Sequence, residues 1–198
     1  GTFRGVNAEL YSSIFRSVFT CETDIKAYSQ ASQRLRQHHN VLISHLSSFE
    51  FLRRFSKQGT TKFIYLDAHF YSSVDKIKWI VIEELKALQD NKDIIICVHD
   101  FDNGMGHLIY DGEHLDWKLI GKYLQKVNPD FYYYTNTKAE PYTKETIKEL
   151  PIVVDDAVLD SIKFVHSTEA RRIRGMLFAT PKPLDLSKYQ LREFLCPQ

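Results

Sequence analysis

Apolar residues at Val6, Leu10, Ile14 and Val18 recur every four positions, the spacing of one helix face, and predict a helix over 6–18. The pattern then shortens. Residues 19–22 read as a strand, and Asp24 is placed to cap a mostly polar helix running to about His39. His38 and His39 would then sit at a helix end, where imidazolium complements the dipole. NVLISHL, 40–46, is rich in strand formers, and Ser47 or Ser48 opens a helix through Phe55 that Gly59-Thr60 breaks. KFIYLDAHFY, 62–71, begins as a buried strand and ends polar. Ser72 or Ser73 then starts a helix to about Leu88. DIIICVHDFD, 93–102, repeats the apolar run with a polar tip. Residues 103–116 are punctuated by glycine and read as a loop. A helix follows over 117–127, with strands at 131–135 and 175–180. An insert between them, 137–173, carries a short helix near 155–164.

Near-continuous apolar strands alternating with helices imply an α/β fold with a mostly parallel sheet, covered by helices on both faces. The last two strands have no clean crossover helix between them. No repeat or second domain is evident, and 1–198 reads as a single domain. In such sheets ligands bind beyond the carboxyl ends of the strands. That rule gathers residues 1–5, 22–24, 46–48, 67–71 and 99–102 on one rim.

Charge removes one class of partner. Lys and Arg number 26 against 25 Asp and Glu, with no basic block, so the balance offers no footprint for nucleic acid. No apolar run reaches the ~20 residues of a membrane span. The three cysteines, Cys21, Cys97 and Cys196, lie far apart in no metal-binding spacing, and Cys21 and Cys97 fall in strands. These features predict a cytoplasmic protein.

The chemistry starts with GTFRG and CETD. Glycines let a backbone approach a ligand, and an acid at a strand tip accepts the hydroxyls of a ribose; together they point to a nucleoside ligand. GTFRG, CETD, LDAHFY and VHDF together resemble class I S-adenosylmethionine-dependent methyltransferases. The likeness is to the small bacterial type with DAH and HDF motifs at consecutive strand tips. It covers about 1–136 and resumes at RGMLFATP. It implies a Rossmann-like methyltransferase sheet of seven strands in which the last, reached by the hairpin-like return from FYYYT to RGMLFAT, inserts antiparallel; the first would lie upstream of Gly1 together with an acidic residue, so the sequence is expected to be a fragment. It implies S-adenosylmethionine as cofactor, with Gly1, Thr2 and Gly5 at its methionine end, Glu22 on its ribose and Asp67 also among its binding residues. The family often receives the adenine amino group on an acid at the next strand tip. Leu46 stands there here, which leaves Ser47, Ser48 or a backbone carbonyl to substitute. A nicotinamide-binding fold is the nearest competitor, but GTFRGVN does not supply G-x-G-x-x-G.

DAHFY is the expected reaction rim. Asp67 and His69 are two apart and point the same way on an extended tip. A histidine beside a carboxylate titrates near neutrality and accepts a substrate proton. His69 with Asp67 is the expected base, with Asp100 and His99 next. Asp67 and Asp100 are also spaced to share a divalent cation. Phe101 occupies the place of the further oxygen ligand such sites carry, so orienting roles are expected for both. Tyr71 reads as packing, and Arg171, Arg172 and Arg174 as a solvated edge. The expected reaction is methyl transfer to an oxygen or nitrogen of a small-molecule acceptor, shaped by 103–116 and 137–173. A same-fold enzyme of different chemistry, NAD-dependent or nucleotide-sugar-modifying, is the alternative, and a binding module without catalysis is another.

Overall fold

A computed structural model describes residues 1–56, 62–68, 77–104, 107, 109–110, 112–137 and 175–197. His69, Tyr71, the helix start at Ser72 or Ser73, residues 138–173 of the insert, and Arg171, Arg172 and Arg174 lie outside them. The described residues fall into two compact units, 1–55 and the remainder.

The first unit runs α1 (Val6–Ser12), β1 (Val18–Glu22), α2 (Ile25–Leu35), β2 (Val41–His45) and α3 (Ser48–Phe55). β1 and β2 pair in parallel, Val18 opposite Val41 and Glu22 opposite His45. Because side chains alternate along a strand, Val18, Val41 and Ile43 share a face, and Ala8, Tyr11, Ala31 and Leu35 of α1 and α2 pack on it. The opposite face presents Phe19, whose ring lies 6.3 Å from that of Phe55 in α3. Helices thus cover both faces of this unit.

α1 stops at Ser12, well short of the predicted 18. Two hydroxyls turn back on the helix: Ser12 Oγ donates to Glu9 O at 2.6 Å and Ser13 Oγ to Leu10 O at 2.7 Å. Asn40 Nδ2 then donates to the freed carbonyls of Ser12 and Phe15. Side-chain bonds of this kind compete with helix continuation, and Val18 joins β1 instead. α2 is capped as predicted, with Asp24 accepting from Ala27 N at 2.8 Å. It ends at Leu35, so His38 does not sit in its last turn. The His38 ring instead meets Ser12 Oγ at 2.9 Å and Glu9 Oε1 at 3.4 Å.

The second unit holds β3 (Lys62–Leu66), α4 (Ile80–Ala87), β4 (Ile94–His99), β5 (Ile109–Tyr110), β6 (Glu113–His114), α5 (Trp117–Val127), β7 (Tyr132–Asn136), β8 (Met176–Thr180) and β9 (Leu191–Glu193). Its main sheet has the order β3-β4-β8-β7-β9. β3 and β4 are parallel, while β8 enters antiparallel between β4 and β7. β9 adds antiparallel to β7. The sheet is therefore mixed, where a mostly parallel one was expected. The inserted return of β8 was anticipated, but β9, the short polar stretch LRE, has no pattern to announce a strand. α4 and α5 pack on one another and bury Leu85, Leu88, Ile120 and Leu124 completely. β5 and β6 form a hairpin where 103–116 reads as plain loop, turning through Gly112 at φ 75°.

Candidate functional site

At the carboxyl end of β1 the Glu22 side chain clasps the N-terminal loop. Its Oε2 accepts from Phe3 N at 2.7 Å, and its Oε1 from Thr23 N at 2.8 Å and Asp24 N at 3.0 Å. Thr2 N donates to Cys21 O at 2.7 Å, laying the loop along the strand end, and Gly5 N returns to Thr2 O. Phe3 is exposed and left-handed, with φ 49°. A Cβ at Gly1 would stand 2.9 Å from Glu22 Oε2, so glycine permits this close approach. Gly5 serves a different end. At φ 83° it begins α1, and a Cβ there would come within 3.3 Å of Ala31 and Leu35 on α2. The loop's N–H groups at 2, 3 and 5 are thus spent on the protein. The open capacity lies in two oxygens. Glu22 Oε1 takes the Thr23 and Asp24 N–H groups and, at 3.5 Å, the Thr23 hydroxyl, whereas Oε2 accepts from Phe3 N and keeps a lone pair open. Thr2 Oγ1 is buried and has no partner among the described residues.

The two serines beyond β2 divide. Ser47 Oγ donates to Glu50 Oε2 at 2.8 Å, so it is engaged at the start of α3. Ser48 Oγ is buried with no partner among the described residues. His45, which the sequence did not single out, lies opposite Glu22 in register. Its Nε2 donates to Thr23 O at 3.0 Å, and its ring packs 5.0 Å from that of Tyr28. The signal for it was its place as the last residue of β2.

In the second unit β3 and β4 end in an acid–imidazole–acid cluster. His99 Nδ1 lies 3.1 Å from Asp67 Oδ1 and 3.1 Å from Asp100 Oδ1. Burial alone would lower the His99 pKa, but hydrogen bonds and charge from Asp100 and Asp67 outweigh it and hold it up, at about 9. The ring therefore carries a proton at neutral pH. Asp67, expected to orient His69, makes its described ion pair with His99. Asp100 is buried and left-handed at φ 60°, a conformation Asp tolerates better than most residues. Its neighbour Phe101 is fully buried. Cys97 is buried in β4, and burial together with Asp67 pushes its thiol up, which leaves it unreactive.

The exit from β4 is locked in place by the chain beyond it. Phe101 N donates to Gly175 O at 2.9 Å. A Cβ at Gly175 would collide with Phe101 O and Asn103 Oδ1, so only glycine fits. Asn136, at the end of β7, accepts at Oδ1 from Asn103 Nδ2 and from Met176 N, both at 2.8 Å. Arg192 of β9 donates to Asn103 O at 3.2 Å. Asn103, Asn136 and Gly175 thus position the HDF turn, a role with no mark in the sequence beyond their places at strand ends.

No protein-family model matches the chain, and no curated protein does. Among solved structures it is similar to an rRNA methylase from Streptococcus thermophilus at 10% identity, covering 91% of this chain and 82% of that one with a TM-score of 0.44. It is also similar to the YcgJ protein of Bacillus subtilis, at 9% identity over 92% and 90% of the two chains with a TM-score of 0.45. A SAM-dependent methyltransferase from Anabaena variabilis matches at 10% identity over 90% and 72%, with a TM-score of 0.44. The likeness is loose, and the chain's own residues must carry the chemistry. Among the described residues no helix is long and apolar enough to cross a membrane.

Proposed function

We propose that this chain is a single class I methyltransferase-like domain that transfers a methyl group from S-adenosylmethionine to an oxygen or nitrogen of a small molecule. The observation that carries the reading is the placement of β8, antiparallel between β4 and β7, on a sheet whose β3 and β4 end in Asp67 and Asp100. That is the arrangement the resemblance of GTFRG, CETD, LDAHFY and VHDF calls for. Glu22 keeps acceptor capacity for a ribose hydroxyl beside the Gly1-Thr2-Gly5 loop, and the buried Thr2 and Ser48 hydroxyls offer further polar contacts. Ser47, held by Glu50, orients the start of α3.

S-adenosylmethionine supplies a sulfonium methyl that an acceptor displaces in line. The protein's part is to align the acceptor and remove its proton. His69, two residues beyond Asp67, is assigned as the base. His99, protonated at neutral pH, is assigned instead as the cation that fixes Asp67 and Asp100. The reaction is proposed without a metal, with Asp67 and Asp100 as orienting groups. Residues 103–116 and 137–173 shape the acceptor side.

Calorimetry with S-adenosylhomocysteine and with NAD tests the assignment. Saturable binding of the first and silence of the second are expected. Binding of NAD alone would make the chain a dehydrogenase-type enzyme, and silence toward both would make it a module without this cofactor.

A further inference from the structure

A second cluster of ligating groups stands apart from the acid–imidazole–acid cluster at the β3 and β4 tips. Asp102, His107 and His114 converge: His107 Nε2 lies 2.7 Å from His114 Nδ1, 3.4 Å from the nearer carboxylate oxygen of Asp102, and that oxygen is 3.6 Å from His114 Nδ1. We propose that these three side chains form a binding site for one divalent first-row transition-metal ion of the zinc type.

Four observations support it. The donor set is two imidazole nitrogens and one carboxylate oxygen, which suits zinc and its neighbours and leaves coordination positions open for water or another ligand. The spacing fits: ligand atoms about 2.0–2.1 Å from a shared ion stand roughly 2.9–3.4 Å from one another, close to the three separations here. Of the two nitrogens facing each other at 2.7 Å only one can hold a proton between them, whereas a cation engages both lone pairs and the carboxylate together. Finally, the scaffold holds the groups in place. Asp102 Oδ1 accepts from Gly104 N at 3.2 Å, which turns Oδ2 toward the histidines. Asp102 N donates to Leu115 O at 2.7 Å, tying the acid to the residue after His114. On the two-residue β6, Glu113 is drawn to Trp79 Nε1 at 2.8 Å and Lys78 Nζ at 2.9 Å. Alternation along the strand then sends His114 to the other side. At Asp67, His99 and Asp100, by contrast, a single ring nitrogen is already shared between two carboxylates.

The site stands whether or not the methyl-transfer reading does, and its test needs no substrate. The tag-free chain is titrated calorimetrically with ZnCl2 and with MgCl2. One Zn2+ per chain is expected, with Mg2+ unable to compete at millimolar concentration because nitrogen ligands favour the transition ion. His114→Ala and His107→Ala should each weaken Zn2+ at least thirtyfold, and Asp102→Asn about tenfold. His38→Ala, on α1's network, should leave it unchanged. A variant-free measurement guards against misfolding: added Zn2+ should shift the ring nitrogen resonances of His107 and His114 in the native chain. Absence of saturable Zn2+ binding overturns the proposal. So does binding untouched by His114→Ala and His107→Ala, or a shift confined to His99.

Discussion

The carboxyl ends of β1 and of β3 with β4 both present acids, yet the two tips are built on opposite physics. At β1 the Glu22 carboxylate is held by backbone N–H groups of Phe3, Thr23 and Asp24. Its partners have fixed polarity, so its geometry does not depend on a proton. At β3 and β4 the carboxylates of Asp67 and Asp100 are held by the His99 imidazolium, a partner that titrates. One tip is a rigid acceptor suited to recognition. The other is a charge cluster whose arrangement changes with pH.

The largest effect should come from loosening the second tip's backbone. In Gly175→Ala the new Cβ meets the Phe101 carbonyl and Asn103, and neither is the end of a long flexible side chain. Overpacking against backbone should lower unfolding free energy by about 3 kcal/mol, read as a fall in the urea midpoint. An unchanged midpoint would mean that β8 and the HDF turn are free to separate.

The next effect separates the two tips by pH. His99 has a folded pKa raised to about 9 from the usual 6.5. Its stabilisation is fully present below the unfolded value and is lost as pH rises through the folded one. Between pH 6 and 10 the native chain should lose on the order of 2–3 kcal/mol more than His99→Gln does. Parallel stability curves for the two proteins would remove the charged cluster from the account. The β1 tip should add nothing to the difference, since the backbone N–H groups that hold Glu22 do not titrate.

The same contrast explains what could be read from the chain alone. β1, β2, β3, β4, β7 and β8 were legible because apolar runs mark buried strands, whereas the antiparallel return of β8 came from the resemblance of the motifs and not from any pattern in the strand itself. The Asp24 cap was legible because capping is local chemistry. The end of α1 was not. Val6, Leu10, Ile14 and Val18 keep a helical period straight through it, and what stops the helix is the Ser12 and Ser13 hydroxyls turning back on it together with Asn40, distant in sequence, taking the Ser12 and Phe15 carbonyls. The pairing of Asp67 with His99 was hidden for a related reason. Proximity in sequence favoured His69, while the parallel register of β3 and β4 sets Leu66 beside Val98 and so brings the following residues together. The hairpin at β5 and β6 and the edge strand β9 are two and three residues long, too short for any period to show.

A smaller effect tests the loop side of the first tip. Gly5→Ala places a side chain at φ 83° and 3.3 Å from Ala31 and Leu35. Left-handed backbone and a tight helix contact together should reduce stability by about 1–2 kcal/mol, measured by urea unfolding. S-adenosylhomocysteine affinity should hardly move, because a Cβ at this glycine faces Ala31 and Leu35 of α2. A large loss of affinity with intact stability would return Gly5 to the ligand.

The smallest change in stability, and the most informative about function, should come from Glu22→Gln. The amide keeps the length of the side chain but loses the charge and turns one oxygen into a donor. One of the N–H groups of Phe3, Thr23 and Asp24 must then face an NH2. These groups are solvent-accessible, so water takes over part of the lost bonding, and the stability cost should be about 1 kcal/mol. Ligand binding offers no such relief. A ribose hydroxyl that donates to this carboxylate would lose a charge-assisted bond, and affinity for S-adenosylhomocysteine should fall about tenfold or more. The two readouts on one variant separate the roles. Lost stability with unchanged affinity leaves Glu22 as a clip for the N-terminal loop, and takes away its assignment to the ribose. Lost affinity well beyond the lost stability places the acceptor at the ligand, with the backbone N–H groups serving to aim it.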